Sequence, residues 1–211
     1  MELLARIFIL IHAICGGIAL ISGAIALGSS KGKKLHRQFG KLFYYSMLTT
    51  AQTALIVSVL PNHHNPFLFS IGVFSLYLTL IGYRTLGYKR FKVNLQPDRF
   101  ISGTMLLVGL GMLIIPPIIY GKLIVLFLVF GTVGAVMATI DLYNYRRPAY
   151  LKQHWLPLHI GKITGAYISA VTAFVVVNEV LPSLVAWLLP GIIGSIFISI
   201  SIARVKKKQQ L

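Results

Sequence analysis

One cysteine, Cys15, serves the whole chain of 211 residues, which excludes an intramolecular disulfide and a thiolate metal cluster. Charge is scarce too, at 11% of residues, with only four acids: Glu2, Asp98, Asp141 and Glu179. So few charges cannot cover the surface of a soluble domain of this size. No low-complexity tract and no internal repeat is present, which takes support from a transporter built of inverted repeats. Phosphate-cradling glycine loops, Ser/His/Asp spacing and the HExxH helix of zinc hydrolases are missing as well.

What the chain has instead is apolar sequence. Hydrophobic residues make up 56% of it and the mean hydropathy is +0.80, more apolar surface than a core of this size can bury. Lipid must be the solvent for much of it. At about 20 residues per crossing, the length accommodates roughly seven spans and short loops, with no soluble domain left over. The expected fold is all-α, a single polytopic membrane bundle of seven transmembrane helices over residues 3–27, 36–60, 67–86, 100–119, 123–142, 156–178 and 184–203. Span one, with one early base and a KGKK stop behind a long apolar run, reads as a retained helix rather than a cleaved leader. Pro116 and Pro117 are expected to mark a turn, and Pro190 a kink.

The net charge of +16 would suggest nucleic acid in a soluble protein. Sorted by alternate loops, however, every base except Arg6 and Lys122 falls on one side: Lys31 to Lys41, Arg84 to Arg99, Arg146 to Lys162, and Arg204 to Lys208. This is the positive-inside pattern. It predicts the N-terminus outside, the C-terminus in the cytoplasm, residence in the cell's inner (cytoplasmic) membrane, and attraction to anionic headgroups of the inner leaflet, with no need for nucleic acid. Tyr143, Tyr145, Tyr150 and Trp155 read as an inner-interface aromatic belt.

Polar groups inside apolar spans are the candidates for function. His12 lies in span one, His36 opens span two, and His154 and His159 open span six in HWLPLHIGKITGAYISAVTAFVVVN. Gly16 follows His12 by one helical turn, Gly40 follows His36, and Gly161 and Gly165 follow His159, leaving room beside each imidazole for a flat macrocycle or a close helix. Neutral imidazole is a good ligand for haem iron and for zinc. His36, His154 and His159 with Asp98 or Asp141 compose the alternative, a zinc site on the inner side. Asp98 and Asp141 also read as helix caps or as partners of Arg99, Arg146 or Arg147. Ser46, Thr49, Thr50 and Thr53, with Gln52 beside them, make a polar stripe on span two, suited to helix contacts or to lining a pathway. His63 and His64 sit in the outer turn PNHHNP.

The block KGKKLHRQFGKLFYYSM behind His12, then GYRTLGYKR with Asp98 following, then the HWLPLHIGKITG stretch, resembles an uncharacterised family of predicted bacterial multi-pass membrane proteins with a domain of unknown function, frequent in Bacteroidetes-type genomes. The resemblance rests on His12, the His36-Arg37-Gly40 element, Arg84, Asp98, Trp155, His159, Thr172, Ala173, Phe174 and Asn178. Where the family pattern has arginine then methionine three residues after the histidine, this chain has Lys162 and Ile163, keeping the charge and losing the forked donor. Helix-borne histidines near glycines also resemble, more loosely, those of small haem-b membrane cytochromes. The expected function is a redox membrane protein binding b-type haem through His12, His36 and His159, with His63, His64 and His154 as further partners. The alternatives are an intramembrane zinc hydrolase, or a cofactor-free small-solute transporter or accessory subunit bound to a membrane protein partner through the span-two stripe.

Overall fold

The computed structural model describes residues 2–90 and 93–209, without the side chains of residues 208 and 209. Lys92 and the side chain of Lys208, both counted among the inner bases, lie outside the described residues. The described residues form seven α-helices: α1 (Glu2–Gly28), α2 (Lys34–Val57), α3 (Pro66–Arg84), α4 (Gln96–Tyr120), α5 (Val125–Asn144), α6 (Pro148–Val177) and α7 (Ser183–Gln209). A single 3₁₀ turn, Thr85–Gly87, follows α3.

Local chemistry sets several of these ends. Asn65 caps α3 by accepting the Leu68 N–H at 3.0 Å, with Pro66 in the first turn, where its missing N–H costs nothing. Pro148 opens α6 in the same way, so that helix begins eight residues before the apolar run and carries Tyr150, His154 and Trp155 within it. Pro116 and Pro117 do not end α4. The helix continues through both to Tyr120 and stops at Gly121, whose φ of 64° supplies the left-handed residue a helix terminus prefers. Likewise α7 runs through Pro190.

Six helices are long and apolar enough to cross a membrane, and α2 is the exception. Its first two turns, KLHRQFGK, are basic, and Ser46, Thr49, Thr50, Gln52 and Thr53 dilute the remainder. Even so, α2 lies antiparallel along α1: His12 meets Thr50 and His36 meets Ala26. Helices α4 and α5 form a second hairpin and α6 and α7 a third, while α3 stands at the centre against α2, α4 and α6. In the most apolar stretch of α3, 50% of residues are buried, against 11% in α1 and α7. The outer helices instead turn Leu3, Ile7, Leu10, Ile14 and Ile21 of α1, and Leu107, Ile114 and Ile118 of α4, outward to where lipid would lie.

Small residues bring the helix axes together. A Cβ added to Gly82 would stand 2.9 Å from the backbone nitrogen of Ile163, so α3 and α6 touch main chain to main chain. Gly109 meets Ala135 and Gly131 in the same manner between α4 and α5. We expect Gly82→Ala to lose about 1–3 kcal/mol of stability, because a backbone atom cannot move aside. Gly17→Ala, with nothing within 4 Å, serves as the control and leaves thermal unfolding in detergent unchanged.

Candidate functional site

The buried polar groups gather where α3 ends and α4 and α6 begin, at the end of the bundle that also holds the α1–α2 and α5–α6 connections. We call this the basic end. Lys162 is its centre. Fourteen residues into α6 and only 5% exposed, it is an intrahelical cation and not the loop base expected from the charge sorting. Its Nζ donates to Asp141 Oδ2 of α5 at 2.7 Å and to the Tyr77 hydroxyl of α3, which itself donates to the same Asp141 oxygen at 2.6 Å. One carboxylate thus receives two donors from two other helices. Neither Asp141 nor Lys162 would be tolerated here without the other, since an unpaired charge out of water costs several kcal/mol.

A second carboxylate lies nearer the interface. Asp98, in the first turn of α4 and fully buried, takes a forked pair of bonds from Arg84 of α3, Nε to Oδ1 at 2.9 Å and Nη2 to Oδ2 at 2.6 Å. Tyr88 donates to Oδ1 at 2.6 Å, and Arg84 Nη2 also reaches the carbonyl of Asn94. Asp98 therefore neither caps α4, whose N-cap is Leu95, nor pairs with Arg99; Asp141 pairs with Lys162 in place of Arg146 or Arg147.

Tyrosines join the two clusters. Tyr145, expected in the aromatic belt, is 2% exposed; its hydroxyl shares a 3.0 Å bond with Ser102 and its ring meets Tyr88 edge to face at 6.4 Å. Burial holds the hydroxyls of Tyr88 and Tyr145 well above the ordinary tyrosine range, so both keep their protons at neutral pH. Between the clusters is a cavity of about 10 Å³, room for a single water, lined by Thr85, Tyr88, Asp141, Asn144, Tyr145 and Lys162 among others.

The histidines divide. Nδ1 of His36 lies 2.9 Å from the carbonyl of Ala26, and Nδ1 of His159 lies 2.7 Å from that of Gly82. Both carbonyls belong to the last turn of a helix, α1 and α3 respectively; that of Ala26 also accepts from Ser29 Oγ and Lys31 Nζ, and that of Gly82 from Thr85 Oγ1. A carbonyl only accepts, so each imidazole carries a proton on Nδ1, which leaves Nε2 as the lone-pair nitrogen of the neutral ring. These two rings are at the same end of the bundle, within electrostatic range of each other. Beside them, Gly40 and Gly161 face open space. His12 also donates from Nδ1, to Thr50 at 3.0 Å, and Gly16 faces the Thr50 methyl at 3.8 Å. It lies about 21 Å from His36 along the α1–α2 pair, given fourteen residues of rise.

The other candidates are placed elsewhere or differently. His154 bonds back to Tyr150 at 3.0 Å and stacks on its ring, His63 faces Glu2 at 3.7 Å, and His64 is exposed. Among the described residues no three His, Cys, Asp or Glu side chains gather to hold a metal ion, and Asp98 and Asp141 spend their oxygens on Arg84, Lys162 and tyrosines. The span-two stripe splits. Ser46 and Thr53 are buried, Thr49 and Thr53 bond back to the carbonyls one turn earlier, and Gln52 is exposed. Sequence alone did not connect Tyr77, Tyr88, Ser102 and Tyr145 to the site; the usable signal was a lone lysine inside an apolar helix together with an aspartate at the end of the preceding one.

With this geometry in view, comparison with known proteins adds one finding. Residues 9–94 match the family described as "Predicted membrane protein (DUF2306)". The match covers most of α1, all of α2 and α3 and the loop after them, with His12, His36 and Arg84 inside it, and is consistent with an uncharacterised multi-pass membrane family. No curated protein and no solved structure matches the chain.

Removing either partner of the buried pair leaves the other charge stranded. We expect Lys162→Met or Asp141→Asn to lower stability by about 3–5 kcal/mol, and the double variant to recover most of that. Unfolding in mixed micelles, compared across the four proteins, checks it as a double-mutant cycle.

Proposed function

We propose that this is a b-type haem-binding redox protein of the cytoplasmic membrane, in which His36 and His159 at the basic end would hold the haem. The observation that carries the reading is their shared arrangement: Nδ1–H fixed on a helix-terminal carbonyl, no hydrogen bond to Nε2 among the described residues, and glycine alongside. An imidazole ligating a metal is ordinarily oriented by just such a bond from its other nitrogen. Bound there, haem would supply one-electron chemistry. The chain's own residues would hold the ring planes in register and offer Lys34, Arg37 and Lys41 as counter-charges for propionates. His12 has the same tautomer at another depth and is a further candidate ligand.

The reading includes seven crossings, with the N-terminus outside. Support for α2 as a crossing comes from its antiparallel course along α1 over residues 36 to 50, which spans about 21 Å of the same thickness. The excess of bases at the ends of α1, α3, α5 and α7 supports placing that face in the cytoplasm, against anionic headgroups. There Arg147 lies over the rings of Tyr143 and Tyr150, and Lys89 over Trp155.

Protein purified from haem-replete cells is expected to show a Soret band. His36→Ala and His159→Ala should abolish it or shift it to a five-coordinate form, while His154→Ala leaves it intact; a preparation with no Soret band overturns the reading. In a Cys15→Ser background, Lys122→Cys and Lys207→Cys should be labelled by an impermeant thiol reagent from opposite sides of the membrane. Labelling from the same side removes the seven-span topology.

A further inference from the structure

The outward half of the α2 stripe is used neither by the fold nor by the haem reading. Gln38, Leu42, Tyr45, Thr49, Gln52 and Ile56 follow one another at alternating intervals of four and three residues, a mean of about 3.5, and so share one face of the helix. Ser46 and Thr53 turn the other way and are buried. On the outward face all but half-buried Thr49 are exposed, because α2 packs mainly on α1 and α3, which lie to its other sides. Gln52 stands between Thr50 and Thr53, both of which meet His12, so it lies at the depth of His12, about 24 Å along α2 from His36. No hydrogen bond among the described residues reaches its amide.

An amide turned toward hydrocarbon has two N–H donors and a carbonyl with no water to satisfy them. The helix that carries it is also the one whose composition falls short of a membrane crossing. Covering this face removes both costs. We infer that the outward face of α2 is the interface between two copies of this chain, paired as parallel helices about a two-fold axis along the membrane normal, with the Gln52 amides hydrogen-bonded to each other. The occupant is a second copy because an amide is its own complement. Copies inserted in the same orientation are related by such an axis, which sets each residue of the seam opposite itself and at its own depth. A different protein would have to present both a donor and an acceptor at that level.

In that register one Gln52 N–H donates to the carbonyl oxygen of Gln52 of the partner subunit. The Thr49 hydroxyl, which donates its own proton back to the Tyr45 carbonyl at 3.1 Å, keeps a lone pair for another amide N–H one turn away. The repeat of about 3.5 residues gives a left-handed pair crossing at about 20°, with Leu42, Tyr45 and Ile56 filling the layers around the polar one. Lys34, Arg37 and Lys41 lie beside the inner end of the seam, where water and anionic headgroups screen them, so the association is decided deeper in the bilayer. Pairing of this kind needs α2 to cross the membrane and makes no use of haem.

The test is oxidative cross-linking of the full chain in liposomes at low protein density, in the Cys15→Ser background. Leu42→Cys and Ile56→Cys should each give a disulfide-linked dimer, since each thiol faces its own copy, whereas Leu107→Cys on the exposed face of α4 should stay monomeric. In the same liposomes Gln52→Leu, which keeps the bulk and removes the amide, should raise the dissociation constant of the dimer about tenfold, read by energy transfer between copies labelled at Lys207→Cys. Should Gln52→Leu fail to insert, the cross-linking variants still decide. Monomers from both seam variants, cross-linking at Leu107→Cys as strong as at the seam, or unchanged association in Gln52→Leu overturns the proposal. So does Ile56→Cys in native membranes linking only to a chain of another mass, which would mean that a different protein covers the face. Seam cross-linking in a preparation with no Soret band supports the dimer and overturns the haem reading alone. Labelling of Lys122→Cys and Lys207→Cys from the same side removes the parallel pairing together with the seven-span topology.

Discussion

A charge placed among apolar helices decides most of what its neighbours must do. Lys162 sits near the middle of the longest helix, and its ammonium can persist there only with Asp141 opposite and Tyr77 completing the set. That requirement brings α3, α5 and α6 to one point and fixes their rotation about their own axes. Lipid-facing and inward surfaces are equally apolar in this chain, so hydrophobicity gives no such instruction. The ion pair selects which faces meet, and the backbone contact of Gly82 with Ile163 follows one residue away on α6.

Arg84 and Asp98 repeat the logic at the interface with different chemistry. Their bond is forked and partly reached by water, so it ties the end of α3 to the start of α4 while remaining open to the outside. Together the two pairs make α3 the shared partner of three helices, which accords with its being the most buried. Among the described residues α1 and α7 make no comparable buried ion pair, and their outward rows of isoleucine and leucine are what lipid would surround.

The helical architecture was legible because long apolar runs between basic and glycine-rich loops leave few other solutions. Pro116 and Pro117 were misleading for a definable reason: so close to a helix end, a proline loses few main-chain bonds, and Gly121 offers a better stop a few residues later. Lys162 was legible as a charge but not as a buried one, since proximity to Lys152 and Arg147 in sequence made it resemble a loop base. Pairing of Asp98 with Arg84, and of Asp141 with Lys162, crosses helices, and no local pattern reports which helices adjoin. For the histidines, residue type and glycine spacing marked His12, His36 and His159 as candidates, whereas the division between His36 with His159 and the distant His12 depends on the antiparallel register of α1 and α2.

That division has a further meaning in how the imidazoles are held. Both rings at the basic end lean on peptide carbonyls of terminal helical turns, and a peptide carbonyl is contributed equally by every amino acid. Changes of side chain at Ala26 or Gly82 can crowd these rings but cannot delete their acceptors. Ring orientation is therefore inherited from the path of the main chain, so it can outlast wide drift in the surrounding residues and would be lost only when a helix end itself moves.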